Sequence, residues 1–211
     1  MAISVRPVAA LDLSTLERCS TVEFAAFASD FHSLVFPGPF PEDRAETKAQ
    51  ALSAAIQNDG CRIFAAWDVD DEGSETLVGY ARWFVYGKSM PEPEPRTFGP
   101  GVHVAAATEM LGAIDGLRKA NFSGKACVYL SVLVVHPDHQ GRGVGKQLME
   151  WGLERAAGLG VPAFLESSPA GRKLYTGLGF REVDVAKVPF AQFGLDTVFT
   201  VWAMMWTGAE V

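Results

Sequence analysis

The residues of this chain whose types and spacing could do chemistry lie in the segment HPDHQGRGVGKQL, residues 136–148. Its glycines let the backbone approach a ligand closely, because glycine has no Cβ atom in the way. The first turn of a following helix presents amide groups without intrahelical acceptors, at the positive end of the helix dipole. Arg142 and Lys146 add positive charge at the same place. The segment therefore predicts a binding site for a ligand that carries phosphates.

The sequence on either side indicates how this segment is positioned. The run VYLSVLVV, residues 128–135, is almost continuously apolar and predicts a buried strand. After the turn, Val144, Leu148 and Trp151 recur at helical spacing. The local pattern is therefore strand, glycine-rich turn and helix.

Two common phosphate-binding loops do not fit this segment. A dinucleotide-binding fold has G-x-G-x-x-G directly after its strand, whereas here the five residues HPDHQ intervene before Gly141, Gly143 and Gly145. A Walker-type loop needs Ser or Thr after its lysine to hold magnesium, and Gln147 stands at that position. Neither a dinucleotide nor a nucleoside triphosphate with magnesium is predicted.

The remaining pattern, Q-x-x-G-x-G after an apolar strand and V-x-P, is similar to the pyrophosphate-binding motif of the Gcn5-related N-acetyltransferase (GNAT) family. A second block, AFLESSPAGRKLYTGLGF at residues 163–180, also resembles that family. Its Leu165, Tyr175 and Gly179-Phe180 have the family's spacing. The N-terminal half of the chain is similar only in the order of its elements.

The resemblance implies an α/β (α+β) chain with the GNAT fold. That fold is a mixed, mostly antiparallel, twisted sheet of about seven strands flanked by helices, with strands 4 and 5 splayed apart. We expect one domain over residues 1–211, with a proline-rich insertion and an extra helix at residues 87–119.

The resemblance also implies acetyl-coenzyme A as cofactor and direct transfer of its acetyl group to a primary amine. The pantetheine arm would pair with the free backbone of Leu133, Val134 and Val135. The other cofactor-binding residues implied are Gln140, Gly141, Arg142, Gly143, Val144, Gly145, Lys146, Ser168, Gly171 and Tyr175.

Tyr175 is the predicted general acid for the leaving thiolate, since a phenol with a pKa of about 10 is close to a thiol in acidity. The alternative is a buried aromatic residue whose hydroxyl has a structural partner. The sequence leaves three ways for the amine to lose its proton. Glu166 could act as the general base, Ser131 could relay the proton through water, or the proton could pass to solvent before the amine binds. Alternatively, Glu166 could have a structural role or orient the substrate. Ser131 could be a strand residue whose hydroxyl is hydrogen-bonded within the protein.

The acceptor side is predicted from residues 28–41, an aromatic and proline-rich segment read as a loop. Together with the insertion it favours a covered pocket and hence a small molecule. A protein or peptide N-acetyltransferase and a non-catalytic coenzyme A sensor are the alternatives. The candidate substrate residues are Asp30, His32, Phe36, Trp83 and Glu166. A plain surface loop is the alternative for Asp30 and His32, and core packing is the alternative for Phe36 and Trp83.

The net charge and the distribution of apolar residues limit the kinds of partner that we expect. A net charge of −7 argues against nucleic acid and would suit a cationic amine. No apolar run approaches the roughly 18 residues of a membrane span, and the N-terminus lacks the apolar core of a signal peptide, so we expect a cytoplasmic protein.

His136 and His139 have H-x-x-H spacing without a third ligand, and no metal is expected. The chain would be a monomer or a homodimer.

Periodicity and turn residues predict the other elements, with Asp12 as the cap of the first helix. Residues 88–101 contain four prolines and are expected to lack regular structure. The predicted strands are Ile3–Val8, Arg62–Val69, Thr76–Tyr86, Arg181–Val188 and Thr197–Trp206. Helices are predicted from Leu13, from residue 45 to an end near residues 58–60, and over residues 107–117.

Overall fold

The computed structural model describes residues 2–57 and 60–208 and shows a mixed α/β fold with a seven-stranded sheet. In chain order the elements are β1 (Ala2–Pro7), α1 (Leu13–Ala26), α2 (Asp30–Val35), α3 (Arg44–Gln57), β2 (Cys61–Val69), β3 (Glu75–Tyr86), α4 (Val104–Asn121), β4 (Cys127–Val135), α5 (Val144–Leu159), β5 (Ala163–Ser167), α6 (Pro169–Gly177), β6 (Arg181–Pro189) and β7 (Val198–Trp206).

The chain forms two compact units. The first comprises Met1–Phe27, Glu42–Val85 and Tyr129–Arg155, and the second Ala28–Pro41, Tyr86–Val128 and Ala156–Val211. The strand order is β1-β2-β3-β4 in the first unit and β5-β7-β6 in the second. The pairs β1–β2, β2–β3, β5–β7 and β6–β7 are antiparallel.

In the first unit, α1 and α3 pack on one face of the sheet. The predicted cap is confirmed, because Oδ1 of Asp12 accepts a hydrogen bond from the amide of Thr15 at 3.1 Å. Burial of apolar side chains is the main stabilising term here. The buried cluster includes Leu16, Cys19, Leu52, Ile63 and Tyr80.

Two glycines let elements of this unit come unusually close. A Cβ atom at Gly152 of α5 would lie 2.3 Å from the ring of Trp83, which is fully buried. A Cβ atom at Gly79 of β3 would lie 2.7 Å from the carbonyl oxygen of Val134 in β4. Real Cβ contacts are not that short, so glycine at each position sets the packing distance.

The second unit corrects one prediction. Residues 28–41 were expected to be a loop, yet Asp30–Val35 form the short helix α2, whose cap Ser29 accepts from the amide of His32 at 3.2 Å. The helix forms because its apolar side chains pack with α4 and the end of β6. That cluster is built on Val35, Ala106, Ala107, Met110 and Phe190.

The other elements lie within a few residues of their predicted positions, in the predicted order with the extra helix α4 in the insertion. The second predicted helix was placed to end near residues 58–60, of which 58 and 59 lie outside the described residues. The proline-rich segment 91–99 has no regular structure, as predicted. Among the described helices, none has the length and apolar character needed to cross a membrane.

Candidate coenzyme and acyl-transfer site

The glycine-rich turn is built by backbone conformations that only glycine adopts easily. Gly141 has φ +73° and Gly143 has φ +82°, and a Cβ atom at either would meet nothing within 4 Å. The side-chain amide of Gln140 donates to the carbonyl of Val135 at 3.1 Å, which joins the turn to the end of β4. The turn is therefore fixed in shape and open on its outer side.

The turn and the start of α5 present a run of backbone donors. Within the described residues, the amides of residues 141–146 have no hydrogen-bond acceptor, and the next amide, that of Gln147, donates to the carbonyl of Gly143 at 3.2 Å. Six consecutive donors at the positive end of a 16-residue helix make an anion-binding cradle. This geometry fits the pyrophosphate that the sequence predicts here.

Arg142 is engaged by a residue that the sequence did not reveal. Its guanidinium makes a two-pronged ion pair with Asp68 of β2, with Nη2 donating to Oδ1 at 3.0 Å. Nδ1 of His139 lies 3.2 Å from Asp68 Oδ2 and 3.0 Å from Arg142 Nη1. The hydrogen bonds from Arg142 hold the pKa of Asp68 below its usual range. The charge of Arg142, expected to be free for phosphate, is neutralised.

Lys146, unlike Arg142, has no ion-pair partner among the described residues. It is exposed on the first turn of α5, and it makes no ion pair with any residue that the structure describes. Lys146, rather than Arg142, is therefore the uncompensated positive charge beside the cradle.

The C-terminal part of β4 is more open than its N-terminal part. Ser131, Val132 and Leu133 are half-buried, as is Val135, whereas residues 127–130 and Val134 are buried. Ser131 accepts from Nε of Arg82 at 2.7 Å and donates to the carbonyl of Arg82 at 3.1 Å. Both hydrogen-bonding roles of this hydroxyl are used, which agrees with the structural alternative for Ser131.

Tyr175 lies on α6, a helix that begins at Pro169 and is capped by Ser168, whose hydroxyl accepts from the amide of Gly171 at 3.4 Å. The tyrosine ring covers Gly171, where a Cβ atom would lie 2.7 Å from Cε2 of that ring. Tyr175 is 6% exposed, and burial raises its pKa above the ordinary range. Its hydroxyl has no hydrogen-bond partner in the described part of the chain, so it is available to a ligand.

Glu166 is paired within the second unit. Its side chain is 5% exposed and accepts from Nε of Arg118 on α4 at 3.0 Å. Arg118 also lies 3.4 Å from Asp115, which in turn is paired with Arg96 of the proline-rich segment at 2.7 Å. The insertion thus holds Glu166 in an ion-pair network, which favours an orienting role over a free base.

The candidate substrate residues divide by location. Trp83 is fully buried and donates from Nε1 to the carbonyl of Leu148 at 3.4 Å, so it is a core residue. His32 and Phe36 are half-buried on α2 and its end, with ring centroids 5.9 Å apart. The side chain of Asp30 lies outside the described residues.

Sequence reasoning missed Asp68, Arg82 and the ion pairs of Glu166. An aspartate near the end of β2 carries no local signal of a partner, because Arg142 is 74 positions away. Arg82 is the stronger case, since an arginine within the otherwise apolar run of β3 is a departure that could have been noticed.

A model of the Acetyltransferase (GNAT) family matches residues 26–180 of this chain, which is more than two thirds of its length. The chain belongs to the GNAT acetyltransferase family.

Solved structures agree on the fold. A histone acetyltransferase HPA2 and related acetyltransferase from Corynebacterium glutamicum is 23% identical with a TM-score of 0.54, over 100% of this chain and 98% of that one. NAA60 of Arabidopsis thaliana, solved with acetyl-CoA, is 19% identical with a TM-score of 0.53, over 98% and 100%. At these identities the likeness carries the fold alone, and it confirms the GNAT fold predicted from sequence.

A curated relative is similar over a shorter stretch. It is the protein named "Probable acyltransferase SID5" of Ajellomyces capsulatus, 43% identical over 51 residues. Those residues are 24% of this chain and 38% of that relative's length.

Proposed function

We propose that this protein transfers the acetyl group of acetyl-CoA to a primary amine on a small molecule. The observation that carries the proposal is the cradle of six unpaired amides at residues 141–146, with Lys146 beside it, in a chain of this family. A metal is not needed, since backbone donors and a lysine neutralise the pyrophosphate.

The residues present fit this cofactor. The amides of the turn would bind the pyrophosphate, and Leu133, Val134 and Val135 of β4 would offer backbone to the amide groups of pantetheine. When bound, acetyl-CoA supplies an activated acetyl thioester. A backbone amide near Val134 would polarise the thioester carbonyl.

Tyr175 acts as the general acid in this proposal. Its uncommitted hydroxyl supports the role. Burial raises the pKa of Tyr175, which keeps the phenol protonated before transfer but removes the match in acidity to a thiol on which the sequence prediction rested. Because Glu166 is tied to Arg118, the amine loses its proton to solvent before attack, and Glu166 orients the site.

The packing of α2 on α4 supports a small acceptor. Both segments that are longest and least regular in the sequence, 28–41 and 87–103, contribute to the apolar cluster of the second unit. Packed segments of this kind suit a compact small-molecule pocket better than an open peptide groove. The proposal places one catalytic domain over residues 1–211, working in the cytoplasm.

The test is calorimetric titration with acetyl-CoA, followed in the same sample by thiol release against a panel of small amines and peptide N-termini. We expect binding, and release that depends on a small amine. Faster thiol release with peptides than with every small amine would show that the acceptor is a peptide or protein. Binding of acetyl-CoA without any thiol release would indicate a coenzyme A sensor. Absence of binding would overturn the assignment of the cradle.

A further inference from the structure

Arg82 is a half-buried cation on β3 that is held by its neighbour on β4. Its Nε donates to Ser131 at 2.7 Å, and Ser131 donates back to the carbonyl of Arg82 at 3.1 Å. This reciprocal pair fixes the direction of the guanidinium plane. The Arg82 side chain is therefore already ordered before a ligand binds, and less conformational entropy is lost on binding.

The rest of the guanidinium forms no hydrogen bond in the described structure, and its carbon Cζ lies 5.9 Å from the ring centroid of Phe84. Within the described residues, Arg82 forms no ion pair, and the four Nη–H donors of its fork have no acceptor. A guanidinium removed from water without an anion is costly, because buried charges are stable mainly when paired. The fork is the geometry that binds a carboxylate with two parallel hydrogen bonds.

The carboxylate of Glu23 already has partners of its own. Glu23 of α1 accepts hydrogen bonds from Lys48 of α3 and from the hydroxyl of Tyr80, which is fully buried. Burial lowers the pKa of Lys48 against the pull of Glu23, and the positive charges of Arg82 and Arg44 lower it further. Lys48, Arg82 and Arg44 therefore interact electrostatically in the first unit, and Lys48 is ion-paired with Glu23.

We propose that Arg82 binds a carboxylate on the acceptor, so that the substrate is a small amine that also carries a carboxylic acid. This inference rests on the proposed acetyl transfer. Arg82 forms no ion pair with a described residue, and its guanidinium fork can bind a carboxylate with two parallel hydrogen bonds. Ser131 is two residues from Leu133 on β4, about 7 Å along a strand, a distance that one small molecule can span.

The test compares matched amines with and without a carboxylate. Thiol release from acetyl-CoA is measured with glycine, β-alanine and 4-aminobutyrate, and with methylamine, ethylamine and propylamine as their counterparts without a carboxylate. We expect the wild-type protein to use at least one amino acid about tenfold or more faster, in kcat/KM, than every amine that lacks a carboxylate. We expect Arg82→Gln to lower kcat/KM for that amino acid about 10- to 100-fold, the range of a charge-assisted hydrogen bond, mainly through KM.

Three variants make the result specific. Arg82→Lys keeps the charge but loses the fork, and we expect an intermediate loss. Ser131→Ala frees Nε, and we expect a higher KM for the amino acid at unchanged affinity for acetyl-CoA. Arg62→Gln is the control, because Arg62 is an exposed arginine on the adjacent strand that contacts the carbonyl of Cys61.

The outcomes separate this inference from the proposed function. Loss of acetyl-CoA binding in the wild-type protein would overturn both. Three results would overturn only the inference that Arg82 binds a carboxylate: equal use of amino acids and amines without a carboxylate, equal losses for both classes in Arg82→Gln, or faster release with phosphoethanolamine than with β-alanine. If no amine releases thiol, amino-acid binding to the CoA-saturated protein is measured by NMR. Binding that Arg82→Gln abolishes would support the inference, and its absence would overturn it.

Discussion

At the scale of single residues, the two basic side chains of the glycine-rich turn have different tasks. Arg142 is neutralised by Asp68, whereas Lys146 is exposed and unmatched within the described chain. We expect Lys146→Ala to weaken coenzyme A binding severalfold at low salt and to flatten its salt dependence, since screening acts on exposed charges. Calorimetry at two ionic strengths measures this.

Arg142→Ala is the matched comparison. It leaves the carboxylate of Asp68 without its partner, so we expect a lower melting temperature than for Lys146→Ala. If Arg142→Ala had the larger effect on the salt dependence of binding, the Asp68 pair would not hold in the complex.

Tyr175 is the residue whose hydroxyl has no partner in the described structure. We expect Tyr175→Phe to lower kcat about 10²-fold or more, the usual range for a general acid, while the affinity for acetyl-CoA stays the same. Because burial raises the pKa of Tyr175, the wild-type rate should show no loss from its ionisation up to pH 9. Steady-state kinetics over that range, with Phe180→Leu as a control for ring packing, test the role. An unchanged kcat in Tyr175→Phe would exclude it.

At the scale of elements, Gly79 sets the distance between β3 and β4. Gly79→Ala would place a Cβ atom 2.7 Å from the carbonyl of Val134, so the strands must move apart. We expect destabilisation of about 1–3 kcal/mol, as for overpacked cores, together with weaker acetyl-CoA binding because the same part of β4 is the proposed pantetheine edge.

Thermal unfolding and calorimetry measure the two effects of Gly79→Ala. Gly112→Ala is the control, since a Cβ atom in that turn of α4 meets nothing within 4 Å. It should leave binding unchanged and raise stability by up to about 1 kcal/mol, the helix preference of alanine over glycine. Equal behaviour of the two variants would mean that the close approach of β3 and β4 is not needed.

At the scale of the whole molecule, acid stability depends on carboxylates in both units. The hydrogen bonds of Arg142 lower the pKa of Asp68, and those of Asn121 and of the Val185 amide lower the pKa of Asp184. A lowered pKa contributes stability above the unfolded value of about 3.9, and this is lost as pH falls through the folded value.

We therefore expect Asp68→Asn and Asp184→Asn each to lower the melting temperature at pH 7 and to have less effect at pH 3. Glu42→Gln, a change at an exposed carboxylate, serves as the control. Melting curves between pH 2.5 and 7 provide the measurement. Losses that stay constant with pH would show that the two carboxylates act through packing rather than through ionisation.

Much of the fold follows from the sequence because its signals are local. The apolar run of β4, the glycines at 141 and 143 and the helical spacing of Val144, Leu148 and Trp151 lie within about 25 residues of one another and specify strand, turn and helix. Asp12 caps α1 three residues away. The same local pattern located the cradle and Tyr175, since both belong to continuous motifs.

The pairs that decide charge and orientation come only from the tertiary structure. Asp68 and Arg142 are 74 positions apart, Arg82 and Ser131 are 49 apart, and Arg118 and Glu166 are 48 apart. The helix α2 forms where prolines and aromatics suggested a loop, because its apolar face packs on α4. Periodicity reports which face of an element is buried, but it carries no information on which distant polar side chain the fold brings opposite. The sequence by itself therefore determined the family, the order of elements and the place of the anion cradle, and the tertiary structure decided which charges beside that cradle and along β3 stay uncompensated.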